Sequence, residues 1–528
     1  MRLYPMQRTA AVVVIALAGI VALVAARTAG SGAPAFDVLV INARLLDGSG
    51  NPWLREDLGI RGDRIVARGR LAGAAATRLI NATDLVVAPG FIDVHSHAVG
   101  ALRRAELRDA GALLAQGVTT IIGNPDGGGP VDLAAQRKGL EADGIGVNVG
   151  LLIGHGSVRG AVLGNAIREP DAAELVLMEG LVRQAVADGA LGLSSGLFYE
   201  PGRNAKLEEV IALAKVAGGV YTSHIRDEGN YATGVVASVR EVIRVAEEAG
   251  VRGVVTHVKA LGPDSWGLSK TIVADIEAAR ARGVEVFADQ YPYEASSTSL
   301  GAAVLPGPSG PEAIRPRLAE PPSADQLLKE VTENIRRRGG PASIVIASGR
   351  GAPGLAGRSL QQIAEARGVS PAQAAVDILL GGGASIVSFN MSEDDIRLLM
   401  RQPWTMASSD GELSLPGPSR PHPRGHGALA RKLAVYVRER QVQTLEEAVR
   451  VMTAMPARVF GLTDRGDLRV GALADVVIFD PATIQDRATY EDPFALATGV
   501  RWVLVNGTVA IDNGAPTRAL AGRVLMRQ

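Results

Sequence analysis

Ala88-Pro89-Gly90-Phe91-Ile92-Asp93-Val94-His95-Ser96-His97 puts two imidazoles at the end of a short apolar strand. Residues two apart in a strand point to the same side, so His95 and His97 can offer ring nitrogens to one ion. His-X-His alone is a weak signal, because paired surface histidines produce it often. Further on, His224 closes Tyr221-Thr222-Ser223-His224 and His257 closes Val254-Val255-Thr256-His257. Taken singly, each is more readily a core histidine satisfied by hydrogen bonds. The chain holds seven histidines, however, and His95, His97, His155, His224 and His257 all sit at strand ends, while His422 and His426 share one loop. That distribution favours one metal centre built from His95, His97, His224 and His257.

Around these residues, from Ala88 to about Leu462, apolar strands alternate with helical stretches, the layout of parallel βα units. Strands are expected to end near His95, Gly123, His155, Ser195, His224, His257, Gln290 and Ser409, with helices such as Leu207 to Val216, Val236 to Ala249 and Ser269 to Arg282 between them. The fold class is therefore α/β, a TIM-like (β/α)8 barrel over 88–462, whose sites lie at the C-terminal ends of its strands. Residues 299–391 interrupt the count with the apolar run Ala342 to Ala347 and a helix Pro371 to Leu380, and are expected to form an inserted lid or small subdomain. Gly307 to Pro322, rich in Pro and Gly, is expected to be a loop. Residues 36–87 and 463–528 carry short alternating strands with turns at Gly62-Asp63 and Asn506-Gly507. These two ends are expected to pair into one small β-sandwich beside the barrel, since exposed edges would otherwise remain.

The chain of 528 residues is 47% hydrophobic, enough for a large core and a smaller second domain. Lys+Arg and Asp+Glu both number 55, so no net field exists to hold a phosphate backbone, and nucleic acid is not expected as a partner. Residues 1–35 read separately: Arg2 and Arg8 precede an uninterrupted apolar run from Ala10 to Ala26, and small residues follow to Ala35. That is the layout of a secretory signal, with a membrane anchor as the alternative. Either places the catalytic body outside the cytoplasm, exported to the periplasm or another extracytoplasmic space. With no cysteine, no disulfide can form, and stability rests on the core alone.

A hydrolytic metal site also needs a base beside the ion. Asp410, in Met406-Ala407-Ser408-Ser409-Asp410-Gly411 at the end of the eighth strand, meets that need, and equally fits a turn or helix cap.

In this order the motifs resemble the amidohydrolase superfamily and, within it, the D-aminoacylase (N-acyl-D-amino-acid deacylase) family. The resemblance covers nearly all of Phe36 to Arg527. Besides Ala88 to His97 it includes Gly117-Val118-Thr119-Thr120, Gly192 to Leu197, Tyr221 to Glu228, His257-Val258-Lys259, Asp289 to Tyr293, Ser409-Asp410-Gly411 and Pro421-His422-Pro423-Arg424. It implies hydrolysis of a linear amide in a small N-acyl amino acid, most simply deacylation of N-acyl-D-amino acids. It further implies that His224 and His257 hold a tight zinc, that His95 and His97 border a weaker second site, and that Asp410 is the acid/base. Arg424, helped by Lys259 and Tyr291, would hold the substrate carboxylate, for which a guanidinium fork is well shaped. Without the resemblance, Arg424 fits a loop-fastening salt bridge, Lys259 a solvated strand-end charge and Tyr291 a wall residue of the core.

One departure matters. The family places a metal-binding cysteine after strand two, in a Gly-Asn-Cys context, where this chain reads Gly123-Asn124-Pro125-Asp126-Gly127. Asp126 either supplies a hard carboxylate oxygen in place of sulfur, which would admit manganese or iron beside zinc, or is only the turn residue of Pro-Asp-Gly. A lysine that could be carboxylated to bridge two metals is missing from Leu191 to Leu197, which leaves one or two divalent ions as the expected cofactor. Two other functions stay open: a hydrolase of cyclic amides or of other C–N or ester bonds, and an exported metal-binding protein that has lost catalysis.

Overall fold

The computed structural model describes residues 35–527. The expected signal or anchor, with its apolar run from Ala10 to Ala26, lies outside the described residues. Among the described residues no helix is long and apolar enough to cross a membrane.

The parallel strands Phe91–Asp93, Val118–Gly123, Asn148–Leu151 with Ile153–Gly154, Gly192–Gly196, Val220–His224, Arg252–Val255, Val286–Gln290 and Thr405–Ala407 make the barrel. Their residues are buried almost throughout, as expected where helices cover a parallel sheet. The helix Val235–Ala249 shows how such a cover forms: Val235, Val239, Val242, Ile243 and Ala246 recur on one face and are buried, and Gly250 ends the helix in the left-handed conformation at φ 66°. The third strand breaks at Leu152. Its first half pairs with strand two and with the C-terminal strand Val524–Leu525, and its second half pairs with strand four.

Strand one ends at Asp93, so His95 and His97 lie just past it rather than within it. The barrel closes there through side chain and loop. Asp93 accepts from Ser409 N at 2.8 Å and Ser409 Oγ at 2.5 Å, Asp410 N donates to His95 O at 2.9 Å, and His97 N donates to Gly411 O at 3.0 Å. This seam fixes the two ends that carry His95, His97 and Asp410 against each other.

The insertion builds its own unit. Ala295–Ser299, Ile344–Ser348 and Ser385–Phe389 form an antiparallel sheet, and helices surround a separate core that includes Leu327, Val331, Ile346, Ile363, Ile378 and Ile386. The loop expected over Gly307 to Pro322 is largely helical, with helices Pro311–Ala319 and Pro321–Arg337. Pro311 and Pro321 stand in the first helical turn, where a missing N–H costs nothing, while Pro316 lies inside the first of the two helices. The two ends of the chain share one nine-stranded sheet in which Val476–Phe479 pairs with Val86–Pro89. It curls so that Ile65 N donates to Ala472 O at 3.0 Å, enclosing Val40, Leu58, Ile60, Ile478 and Leu504.

Candidate metal centre and active site

His95, His97, Asp126 and Asp410 bring one ligand atom each within 4.8 Å of one another, and so do Asp126, His224 and His257. Asp126 belongs to both groups. Its Oδ1 lies 3.4 Å from His95 Nε2, 3.6 Å from His257 Nε2 and 3.9 Å from His224 Nδ1, and its Oδ2 lies 3.4 Å from His97 Nε2. Asp410 Oδ1 stands 3.2 Å from His97 Nε2 and 3.5 Å from His95 Nε2.

The turn that delivers Asp126 is built for that position. Ser194 Oγ donates to Asn124 O at 2.7 Å and accepts from Gly127 N at 3.2 Å, tying the turn to strand four. Gly127, at φ 72°, approaches strand four so closely that a Cβ would stand 2.8 Å from Gly196 N. Asp126, His257 and Asp410 themselves hold φ of 56°, 36° and 50°. A non-glycine residue resists that region, so the surrounding contacts must over-determine it, as happens at functional sites.

The buried atoms His95 Nε2 and Asp126 Oδ1 have no hydrogen-bond partner, and His224 Nδ1 faces His257 Nε2 at 2.9 Å. Orphaned buried acceptors are costly. Ligands about 2.0–2.2 Å from a common ion at near-tetrahedral angles stand roughly 3.3–3.6 Å apart, which is the spacing of most of these pairs. The donor set of imidazoles and carboxylates therefore fits a divalent ion such as zinc, manganese or iron.

Around this cluster the charges are arranged in pairs. Glu228 accepts from Lys259 Nζ and lies 2.9 Å from His257 Nδ1. Lys259 Nζ lies 2.9 Å from the same His257 Nδ1, so Glu228 and Lys259 together hold that edge of the ring while Nε2 faces Asp126. Burial would raise the Glu228 pKa, but the charge of Lys259 outweighs it and holds the carboxyl below its ordinary value. Asp227 anchors the loop that carries Glu228, accepting from Gly229 N, Ala232 N and Gly234 N at 2.9, 2.7 and 3.0 Å. Burial alone would likewise raise Asp410, but Arg424 and the histidines keep it below the ordinary carboxylate range. Burial lowers His224 to about 4 and raises Asp93 to about 6.

Arg424 Nη1 lies 2.6 Å from Asp410 Oδ2, and its guanidinium carbon stands 4.9 Å from the centroid of the Tyr291 ring, over which Lys259 Nζ stands at 5.5 Å. Arg424, Lys259 and Tyr291 thus line one wall of a cavity of about 990 Å³ together with His97, Asp126 and Asp410. His422 braces that wall, its Nδ1 accepting from Arg424 N at 3.1 Å and its Nε2 lying 3.0 Å from Ala295 O.

All nine residues singled out in the sequence for metal, proton transfer or carboxylate therefore line or border one cavity. His155 does not; it is buried beside Glu209 at 2.9 Å, in a cluster with Arg159. Asp93, Glu228 and His422 were missed as site residues although each lies inside a quoted motif, because nothing in local spacing tells a brace from a bystander. Tyr199, whose ring centroid is 4.6 Å from that of His224, had no signal of its own.

Comparison with known proteins gives the same picture. The sequence profile of the Amidohydrolase family matches residues 318–511. The chain is 37% identical to the N-acyl-D-glutamate deacylase of Alcaligenes xylosoxydans xylosoxydans, over 93% of this chain and 96% of that protein. It is 36% identical to the D-aminoacylase of the same organism, over 93% and 98%. The crystal structure of N-acyl-D-glutamate deacylase from Bordetella bronchiseptica, complexed with zinc and a phosphonate inhibitor, superposes with a TM-score of 0.79 at 35% identity, covering 93% of this chain and 100% of that one.

Proposed function

The chain belongs to the D-aminoacylase family of metal-dependent amidohydrolases, and from that premise we propose that it hydrolyses N-acyl-D-amino acids to a carboxylate and a free D-amino acid. One observation carries the reading: the imidazoles of His95, His97, His224 and His257 and the carboxylates of Asp126 and Asp410 meet at one end of a cavity whose wall bears Arg424, Lys259 and Tyr291.

His95, His97, His224 and His257, with Asp126 in the place of a thiolate, would hold one or two divalent ions, zinc foremost. When bound, such an ion supplies Lewis acidity, which activates water and polarises the scissile carbonyl. Asp410, ionised at neutral pH, takes the proton of the attacking water as the new C–O bond forms. It then delivers that proton to the nitrogen as the C–N bond breaks, so the amine leaves neutral. Arg424, with Lys259 and Tyr291, binds the α-carboxylate and so aligns the amide with Asp410. Glu228 holds Lys259 and orients His257.

The body is placed outside the cytoplasm in this proposal, on the strength of the basic and apolar pattern of residues 1–35. Assay of purified protein on matched N-acetyl-D-amino acids, N-acetyl-L-amino acids and hydantoins tests the substrate class. Turnover confined to the D-acyl series is expected, and turnover confined to hydantoins would replace the reading with cyclic-amide hydrolysis.

A further inference from the structure

We propose that Arg338 is a specificity-determining residue that recognises a second anionic group on the substrate, beyond the α-carboxylate. The proposal rests on the deacylase reading above and deepens it.

Arg338 follows the helix Pro321–Arg337 of the insertion and lines the active-site cavity while only 2% exposed. Arginine keeps its charge even when buried, so a buried guanidinium needs an anion or costs stability. The other Arg and Lys side chains on the cavity wall have one: Arg424 pairs with Asp410, Lys259 with Glu228 and Arg103 with Asp143. Among the described residues no carboxylate lies within ion-pair distance of Arg338. Its partners are neutral oxygens. Tyr231 Oη accepts from Nε at 2.6 Å while donating to Ala303 O at 3.1 Å, and the Asn390 amide, in the orientation whose oxygen accepts from Ser388 Oγ, also accepts from Nη1 at 3.2 Å. These contacts aim the guanidinium without neutralising it.

The insertion's share of the cavity wall points the same way. The insertion contributes Ser296, Ser297, Thr298, Ser348 and Ser385 to the cavity and, among the described residues, no Asp or Glu; the acidic groups all come from barrel loops. Hydroxyls lining the same cavity as an unpaired guanidinium suit an anion and poorly suit an aliphatic chain. One cavity connects the histidines with Arg338, lined between them by Phe198 and Tyr231. The Tyr231 ring centroid lies 5.8 Å from the Arg338 guanidinium carbon and 5.7 Å from the Phe198 centroid, which in turn is 5.9 Å from that of His224. With the amide at the histidines and the α-carboxylate at Arg424, the remaining substituent faces the insertion. It is either the amino-acid side chain or the far end of the acyl group, and both can carry a carboxylate.

Two isosteric pairs distinguish these sources: N-acetyl-D-glutamate against N-acetyl-D-glutamine, and N-succinyl-D-valine against N-succinamoyl-D-valine. The metal-loaded wild-type enzyme should prefer the acid on one arm by about tenfold to a hundredfold in kcat/KM, the value of a charge-assisted hydrogen bond. Arg338→Met should bring that ratio to within about threefold of unity, chiefly by raising KM for the acid, with the neutral substrate little changed. Arg338→Lys should keep part of the preference. A wild-type ratio near one on both arms overturns the proposal whatever the variants do. Equal losses on acid and amide in Arg338→Met and Arg338→Lys would make Arg338 a strut and also overturn it. Hydrolysis of neither member of any pair would instead remove the deacylase reading itself.

Discussion

Arg424 Nη1 stands 2.6 Å from Asp410 Oδ2, so the group assigned to hold the substrate carboxylate also touches the group assigned to move the proton. The two roles separate kinetically. Asp410→Asn keeps the size of the side chain and removes the base, so kcat should fall by about 10²–10⁴-fold while metal content is retained. Arg424→Ala should mainly raise KM for carboxylate-bearing substrates, by about 10–100-fold for the loss of a charge-assisted fork. Steady-state kinetics with elemental analysis of each variant checks both; undiminished turnover in Asp410→Asn would take Asp410 out of the mechanism.

Asp126 lies between the two groups of candidate ligands. Removing residues that merely orient ligands costs about 10–100-fold in metal affinity, so Asp126→Ala should cost at least that. Asp126→Cys should restore binding with a preference shifted from manganese toward zinc, because sulfur is the softer donor. Competitive metal loading read by mass spectrometry decides it; equal affinities in wild type and Asp126→Ala would leave Asp126 as a turn residue.

Glu228 pairs with Lys259 and lies 2.9 Å from His257 Nδ1. Glu228→Gln should therefore weaken metal binding about 10-fold or more and raise KM as well, because it loosens an imidazole and a cation together. A change in KM with unchanged metal affinity would show that Glu228 serves Lys259 alone.

Lys432 is buried without a charge partner among the described residues, and burial lowers its pKa to about 7. Between about pH 7 and its ordinary value of 10.5 the unfolded chain binds more protons at this residue than the folded one. Its cost to stability is thus full below pH 7 and fades as pH rises through that window. Lys432→Met should stabilise by about 1–3 kcal/mol at neutral pH, and the advantage should shrink toward pH 10. Thermal unfolding at several pH values reads this; a constant or growing advantage contradicts it.

How much of this was legible in the sequence follows from how local each cause is. The spacing of His95 and His97, and the apolar strands ending at His224 and His257, are local, and the barrel was readable from them. The seam that sets His95 and Asp410 side by side depends on Asp93 meeting Ser409 across 316 positions, which no period reveals. Asp126 could be read as ligand or turn because its role is decided by Ser194 and Gly196 on another strand. Arg338 was invisible for the same reason: it sits in the insertion, and its meaning comes from the carboxylate it lacks. Gly307 to Pro322 was misread because proline at a helix start and proline in a loop look alike in sequence.

The most direct test of the account is to strip the purified protein of metal, add zinc or manganese back in steps, and follow hydrolysis of an N-acyl-D-amino acid beside its L-isomer. Activity that is absent from the stripped protein, returns in proportion to one or two bound ions and is confined to the D-isomer is the predicted result. Full turnover by the metal-free protein, or metal binding at the site with no amide hydrolysed, would contradict it.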